Sequence, residues 1–333
     1  MKISVAIITY NQQDTIAQTL DSILCQKGDF DLEVVVGEDC SKDNTPVICR
    51  EYAEKYPDQV VLLQEGYNLG IMRNFANTIN HCTGDLIGIC AGDDYWCDEY
   101  KLQKQLDYLT AHPECGVCTT GGYRYFVRRD EMVSGIAPLQ PIADGDVSKH
   151  YFSESYPGGV YAMPLTMVFK RELLQHIDFD VFVDRGFPVE DYPMQAIMAM
   201  HTKWGHIDDL TVVYRVYTES ATFISYDHPK YLQYHHGLME IRRYLRYKFA
   251  LQLFNYSEDY IQEYLFYREY LLYVFQGEYR KAKALALSTG ISTPKVKQAK
   301  KMTSNGLIFT LFRWYKKRSL SKDFKNRIRK KQS

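Results

Sequence analysis

Leu86-Ile87-Gly88-Ile89-Cys90-Ala91-Gly92-Asp93-Asp94-Tyr95-Trp96 is a short apolar run that breaks into two adjacent acids and two aromatics. A second run, residues 32–36, breaks in the same way into Glu38-Asp39-Cys40-Ser41-Lys42-Asp43-Asn44-Thr45. Short runs that are largely apolar and rich in Val and Ile read as buried strands of a parallel sheet. Carboxylates that follow such strands lie at their C-terminal ends, in the crevice where open α/β sheets bind ligands.

Strand and helix signals alternate on either side of these runs through residue 110. A strand is expected over 3–8, followed by the loop Thr9-Tyr10-Asn11 and a helix capped by Asp14, with Ile16, Leu20, Ile23 and Leu24 on one face. Further strands are expected at 32–36, 60–63 and 86–90, with helices at 46–56 and 71–81 and one opened by Asp98. Repeated strand–helix units imply parallel pairing with right-handed crossovers. From residue 117 the pattern changes to longer β-like stretches at 117–127, 160–169 and 210–217. A polar segment punctuated by Gly and Pro, 134–159, separates the first two, and a loop of that length is usually functional. Beyond Pro229 the chain reads as helical and is rich in Tyr.

The 333 residues are enough for about two domains, and 46% hydrophobic with 24% charged residues is an ordinary globular composition. No opening segment has the pattern of a signal peptide, and no apolar run approaches the roughly 20 residues of a membrane span, so a soluble or peripherally bound chain is expected. All eight Cys lie in the first 118 residues, scattered through expected elements. Cys115 and Cys118 have redox or zinc spacing, but no second pair accompanies them, and all eight read as structural thiols of a reducing cytoplasm. From Lys295 onward there are fourteen Lys or Arg and one acid, a net +13, so the rest of a chain of overall charge −1 carries −14. A basic tail on an acidic body implies a polyanionic partner. Without a recognition fold beside the charge, nucleic acid is not the expected one.

Three acidic pairs can carry chemistry, and each also has a plain structural reading. Tyr10 can stack on a base while Asp39 accepts the imide N–H of uracil; equally, Tyr10 can be packing and Glu38-Asp39 the start of an Asx-turn. Asp93 and Asp94 repel each other unless a cation neutralises them, and hard divalent ions take such oxygens together with substrate phosphates. Alternatively, Asp94 only turns the chain toward the next helix. Glu190-Asp191 precedes a helix containing Met194, Ile197 and Met198, where acids favour the helix dipole; a catalytic base would sit as well on such a rigid start.

Taken in order, Ser4–Asn11 ending in Thr-Tyr-Asn, the 36–45 segment, Asn68-Leu69-Gly70, Arg73-Asn74, Ala91-Gly-Asp-Asp-Tyr-Trp, Lys101-Leu-Gln-Lys-Gln, Glu190-Asp191 and Tyr214-Arg215 resemble the inverting family 2 glycosyltransferases of the GT-A fold. The resemblance covers residues 1–220. It implies a Rossmann-like, mostly parallel sheet flanked by helices, with a nucleotide-binding half over 1–110 and an acceptor half over 111–225; the helical region over 226–333 follows from the sequence pattern there. It also implies roles. Thr9, Tyr10 and Asn11 would form the nucleoside loop, Asp39 would recognise uracil, and Arg73 would meet the diphosphate or ribose. Asp93 and Asp94 would bind ribose and a diphosphate-bound Mg²⁺ or Mn²⁺, and Asp191 would deprotonate the acceptor hydroxyl. Two positions depart from the family pattern: Ala91 replaces a frequent third acid, and Tyr217 a frequent His. The implied reaction is direct displacement with inversion, moving a sugar from a nucleotide donor (a UDP-sugar) to a saccharide or lipid-linked acceptor in polysaccharide or glycolipid synthesis. A non-catalytic nucleotide-sugar binder of the same fold is the alternative, favoured by Ala91 and Tyr217 and opposed by the four acids that remain. A nucleotidyltransferase would need a Gly-rich basic loop after the first strand, which Thr9-Tyr-Asn-Gln-Gln is not.

Near the C-terminus, Tyr260, Tyr264, Tyr267 and Leu271 recur at helical spacing and read as a packing stripe. Residues 307–315, Leu-Ile-Phe-Thr-Leu-Phe-Arg-Trp-Tyr, lead into Lys316-Lys317-Arg318. They fit either an interfacial segment on the cytoplasmic face of an anionic membrane or a terminal helix docked on the protein.

Overall fold

In the computed structural model, which describes residues 1–135, 144–152, 161–217 and 229–329, the expected strands form one side of a nine-stranded sheet. β1 (Lys2–Thr9) is central there; β2 (Asp31–Glu38) pairs with it in parallel, β3 (Val60–Gln64) lies outside β2, and β4 (Leu86–Ala91) flanks β1 on its other edge. The crossovers are α1 (Ile16–Leu24), α2 (Thr45–Lys55) and α3 (Ile71–Asn80). Ile3, Val5 and Ile7 of β1 join Ile16, Leu20 and Ile23 of α1 and Val34 and Val36 of β2 in one buried cluster. On α3, Met72, Phe75 and Ile79 are buried. α3 sits so close to β2 that a Cβ on Gly37 would fall 2.0 Å from Thr78 Oγ1, and Asn74 Nδ2 donates to Gly37 O at 2.9 Å.

The second half of the sheet is mixed. β5 (Tyr95–Trp96) follows β4 at once, and α4 (Lys101–Ala111) leads to β6 (Cys115–Phe126), which pairs with the short β7 (Glu131–Ser134). β8 (Val168–Lys170) bridges β4 and β6, antiparallel to both; β9 (Lys203–Val216) runs parallel to β6 and antiparallel to β5. Three shorter helices complete this part: α5 (Ser148–Tyr151), α6 (Phe179–Asp184) and α7 (Asp191–Ala199).

Several local expectations are corrected. Of the β-like stretch expected at 160–169, the described residues 161–167 are not strand and β8 begins only at Val168, because Pro164 starts a 3-10 turn that breaks the run. The 134–159 segment contains α5, and its residues 136–143 and 153–159 lie outside the described ones. Asp14 does not cap α1: the N-cap is Thr15, whose Oγ1 donates to Gly92 O at 2.8 Å instead of capping the helix, while Gln12 O takes the first N–H groups. Asp98 does hold the start of α4, accepting from Tyr100 N and pairing with Lys104.

Residues 1–217 form one compact unit and residues from 218 on a second. The second consists of α8 (Tyr231–Lys248), α9 (Glu258–Gln276), α10 (Tyr279–Ser288), α11 (Pro294–Met302) and α12 (Gly306–Arg329). Ser257 caps α9, Gly277 ends it in the left-handed conformation, and Thr293 caps α11 ahead of Pro294. The core of this unit is Phe266, Tyr270, Val274, Ala282, Ala286, Val296, Ala299, Phe309 and Phe312. The stripe on α9 packs as expected, in part at the edge of this core: Leu271 is buried in it, Tyr267 lies half-buried against it, and Tyr264, also half-buried, meets His235 Nδ1 of α8 through Oη at 2.9 Å. No helix among the described residues is long and apolar enough to cross a membrane.

Candidate active site

Parallel pairing brings three strand ends side by side, with Thr9 opposite Glu38 and Ile8 opposite Ala91. The loops that follow β1 and β2 are laced together. Asn11 N donates to Ser41 Oγ, Lys42 N to Asn11 Oδ1, Gln12 N to Thr45 Oγ1, Gln13 N to Asp43 Oδ2 and Asn44 N to Gln13 Oε1. Asn11 adopts φ +53°, a left-handed conformation that Asn tolerates through such local bonds. Its side chain is thus a brace. Thr9 is buried, and its Oγ1 bonds the Gln12 amide at 2.8 Å. Of the loop, Tyr10 presents its ring to solvent, 42% exposed.

Asp39 is buried and already engaged. Oδ1 accepts from Leu69 N (2.6 Å), and Oδ2 from Gly70 N and Asn68 Nδ2 (both 3.0 Å). It ties the loop before α3 to the end of β2. Burial raises its pKa, opposed by the Leu69 and Gly70 N–H groups. A carboxylate offers about four acceptor positions, so one remains on Oδ1. Arg73, in the first turn of α3, is exposed.

The β4 end is a tight turn. Gly92 N donates to Ile8 O at 3.0 Å, and a Cβ at Gly92 would lie 2.5 Å from Gln12 Oε1 and 2.7 Å from Thr9 Oγ1. Thr19 Oγ1 of α1 donates to Asp94 O at 2.6 Å. This turn delivers Asp93, half-buried, and Asp94, buried, against Arg215 of β9. Arg215 N donates to Asp94 Oδ1 at 2.8 Å, and Nη1 to Asp93 O at 2.5 Å; Nη2 bonds Gln18, and the guanidinium lies 4.7 Å from the Tyr95 ring centre. Burial raises both carboxyls, Asp94 well above its ordinary range with Asp93's charge adding to the effect, while Arg215 opposes it. Behind the turn, Lys101 is fully buried, 4.2 Å from the Trp96 ring centre and bonded to Gln105 Oε1 at 2.6 Å; burial lowers its pKa to about 7.

Asp191 comes from a different element. It is the first residue of α7, a helix buried from Tyr192 to Ala199 and anchored by Gln195, whose amide bonds Tyr151 Oη, Tyr161 N and both backbone groups of Ala162. Desolvation pushes Glu190 and Asp191 upward, and Asp191's charge raises Glu190 further. Both carboxyls therefore hold a proton more tightly than an exposed acid does, a perturbation that is common at functional sites.

Residues 4–177 match the family described as Glycosyl transferase family 2. The chain belongs to that family. Over 115 residues the chain is 40% identical to an uncharacterized protein of Mycobacterium tuberculosis, a match covering 34% of the chain and 33% of the relative. It is 26% identical over 202 residues to the abequosyltransferase RfbV of Salmonella typhimurium, covering 56% of the chain and 59% of the relative. These matches thus span between about a third and three fifths of the relatives' lengths. In fold it is similar to the mannosyltransferase PcManGT of Pyrobaculum calidifontis, solved with GDP-Man and Mn²⁺, at a TM-score of 0.51 and 19% identity over 95% of this chain and 87% of that one. The mixed sheet with helices on its faces is a GT-A fold.

Among the described residues no three His, Cys, Asp or Glu side chains converge as a metal cage. Asp93 and Asp94 nevertheless fit a cation that arrives on a diphosphate, because Mg²⁺ takes one or two carboxylates and completes its shell with phosphate and water. Ala91 and Tyr217 add no carboxylate or imidazole to that set. Sequence reasoning missed the roles of Arg215, Gln18 and Asn68. Arg215 and Asn68 stood inside family-like motifs, but their partners are remote in sequence, and Gln18 carried no signal at all.

Proposed function

We propose that this glycosyltransferase moves a sugar from a UDP-sugar to an acceptor hydroxyl in polysaccharide or glycolipid synthesis, with inversion. The observation that carries the reading is the turn at the end of β4, which sets Asp93 and Asp94 beside the ends of β1 and β2 and against Arg215. Tyr10 stacks on the base, and the remaining lone pair of Asp39 accepts the imide N–H. Arg73 meets the diphosphate. Asp93 and Asp94 hold Mg²⁺ or Mn²⁺ at the diphosphate, where the cation supplies charge neutralisation of the leaving group. Arg215 keeps the acidic turn folded and lowers the cost of its two charges. Asp191 accepts the proton of the attacking hydroxyl, and its raised pKa suits it to that exchange. A single base on the acceptor side gives inversion. The free thiols support a cytoplasmic setting.

The test is a panel of nucleotide sugars assayed for donor hydrolysis with Mn²⁺, followed by Asp191→Asn on the donor that responds. The variant should lose transfer by about two to four orders of magnitude and keep donor affinity, since a missing base affects chemistry and not ground-state binding. Turnover within a few-fold of the parent, or loss confined to donor affinity, would remove Asp191 from the role. No response to any donor would favour the non-catalytic alternative.

A further inference from the structure

α12 is apolar on two opposite faces, and the protein covers one of them. Phe309 and Phe312 belong to the core of the helical unit, Arg313 donates to Phe275 O, and Lys316 lies 5.9 Å from the Tyr267 ring centre. On the other side Leu307, Leu311, Trp314 and Tyr315 are 69, 59, 59 and 60% exposed. Their spacing, i, i+4, i+7, i+8, is that of a single helical stripe. The stripe runs into exposed Lys317 and Arg318, and Arg318 lies 5.0 Å from the Trp314 ring centre. A helix apolar on both faces ordinarily has both covered.

We propose that the outward face of α12 docks on an anionic lipid surface, lying in its interface while the inward face stays seated on the protein. The occupant follows from charge. The sequence after Trp314 holds Lys316, Lys317, Arg318, Lys322, Lys325, Arg327, Arg329, Lys330 and Lys331 against the single acid Asp323. A second copy of this chain would bring the same positive run to the same face and be repelled. An anionic leaflet attracts it, and Trp and Tyr beside bases favour the headgroup level. The sequence alone left docking on the protein and docking on lipid as rivals; the two faces of one helix accommodate both. This inference needs neither donor nor activity and stands apart from the reaction assigned above.

The full chain is tested by sedimentation with phosphatidylcholine vesicles and with mixed phosphatidylcholine–phosphatidylglycerol vesicles. Binding should require phosphatidylglycerol and weaken as salt is raised. Leu311→Ser/Trp314→Ser should bind about tenfold more weakly or worse, with unchanged thermal unfolding because both side chains are exposed. Intrinsic fluorescence gives a second reading: Trp96 and Trp204 are 3 and 4% exposed, so a blue shift on adding vesicles reports Trp314 and should vanish in Trp314→Phe. Failure to sediment with anionic vesicles, equal binding by the double variant, or self-association that the double variant abolishes would each overturn the proposal.

Discussion

Arg215→Met removes the cation that faces two buried-side carboxylates. In the folded protein Arg215 donates to Asp93 O, bonds Gln18, packs on Tyr95, and opposes the upward pKa shifts of Asp93 and Asp94. Met supplies no donor to Asp93 O or Gln18, and two hydrogen bonds from a charged group are worth about 3–6 kcal/mol together. For a folded unit of this size, each kcal/mol lowers Tm by roughly 2–4 °C, so a fall of about 6–24 °C is expected. Arg215→Lys keeps the charge but loses the planar fork and should fall between. Thermal unfolding followed by the buried Trp96 and Trp204 reads this directly. The pH dependence adds a sign. Carboxyls whose folded pKa is raised contribute stability below their unfolded pKa and lose it as pH rises through the folded value. Without Arg215 those folded values move further up. The deficit of the variant should therefore be largest at neutral pH and shrink as pH falls toward about 4, the unfolded Asp range. A variant within about 1 kcal/mol of the parent, or a deficit that does not change with pH, would refute the charge argument.

If Asp39 reads the base, the unaltered protein should bind UDP more tightly than GDP, and calorimetry showing equal affinities would end that assignment. Asp39→Ala should also destabilise the 68–70 loop, since it strips the acceptor from the half-buried Leu69 N and Gly70 N, at about 1 kcal/mol for each lost bond. At the opposite end of the sheet, burial alone would raise Glu33, but bonds from Lys2, Ser4 and Thr83 outweigh it and hold the carboxyl at about 2. Glu33→Gln should therefore cost stability at neutral pH; the difference from the parent should fade as pH drops below the unfolded value of about 4.3 and toward 2, and a constant difference across that window would show that charge is not its source.

Much of this was legible without coordinates. The largely apolar runs at 3–8, 32–36 and 86–90, broken only by Ser4 and Glu33 in the first two, required buried strands, and the acids after the last two had to fall at one sheet edge once the crossovers were right-handed. Asp39, Asp93 and Asp94 stood out as candidates because carboxylates at strand ends are a local signal. Buried α7 with Asp191 at its start was likewise visible as Glu-Asp before an apolar helix. What Asp39 touches was not visible, since its partners lie about thirty positions away and are mostly backbone N–H groups that every residue possesses. Nor was the break at Pro164 weighed correctly against the β-like run around it. Arg215 came to brace the acidic turn only because β9 lies where Tyr95 and Trp96 can pair with it, bringing residues more than a hundred positions apart into hydrogen-bond distance. Which groups stand at the strand ends could be read directly from the order of residues, because that depends on local period and composition. Tertiary structure alone decided which of those groups are spent on holding loops together, which face a counter-charge, and which side of α12 is left bare, because each depends on long-range pairing and on which surfaces the core covers first.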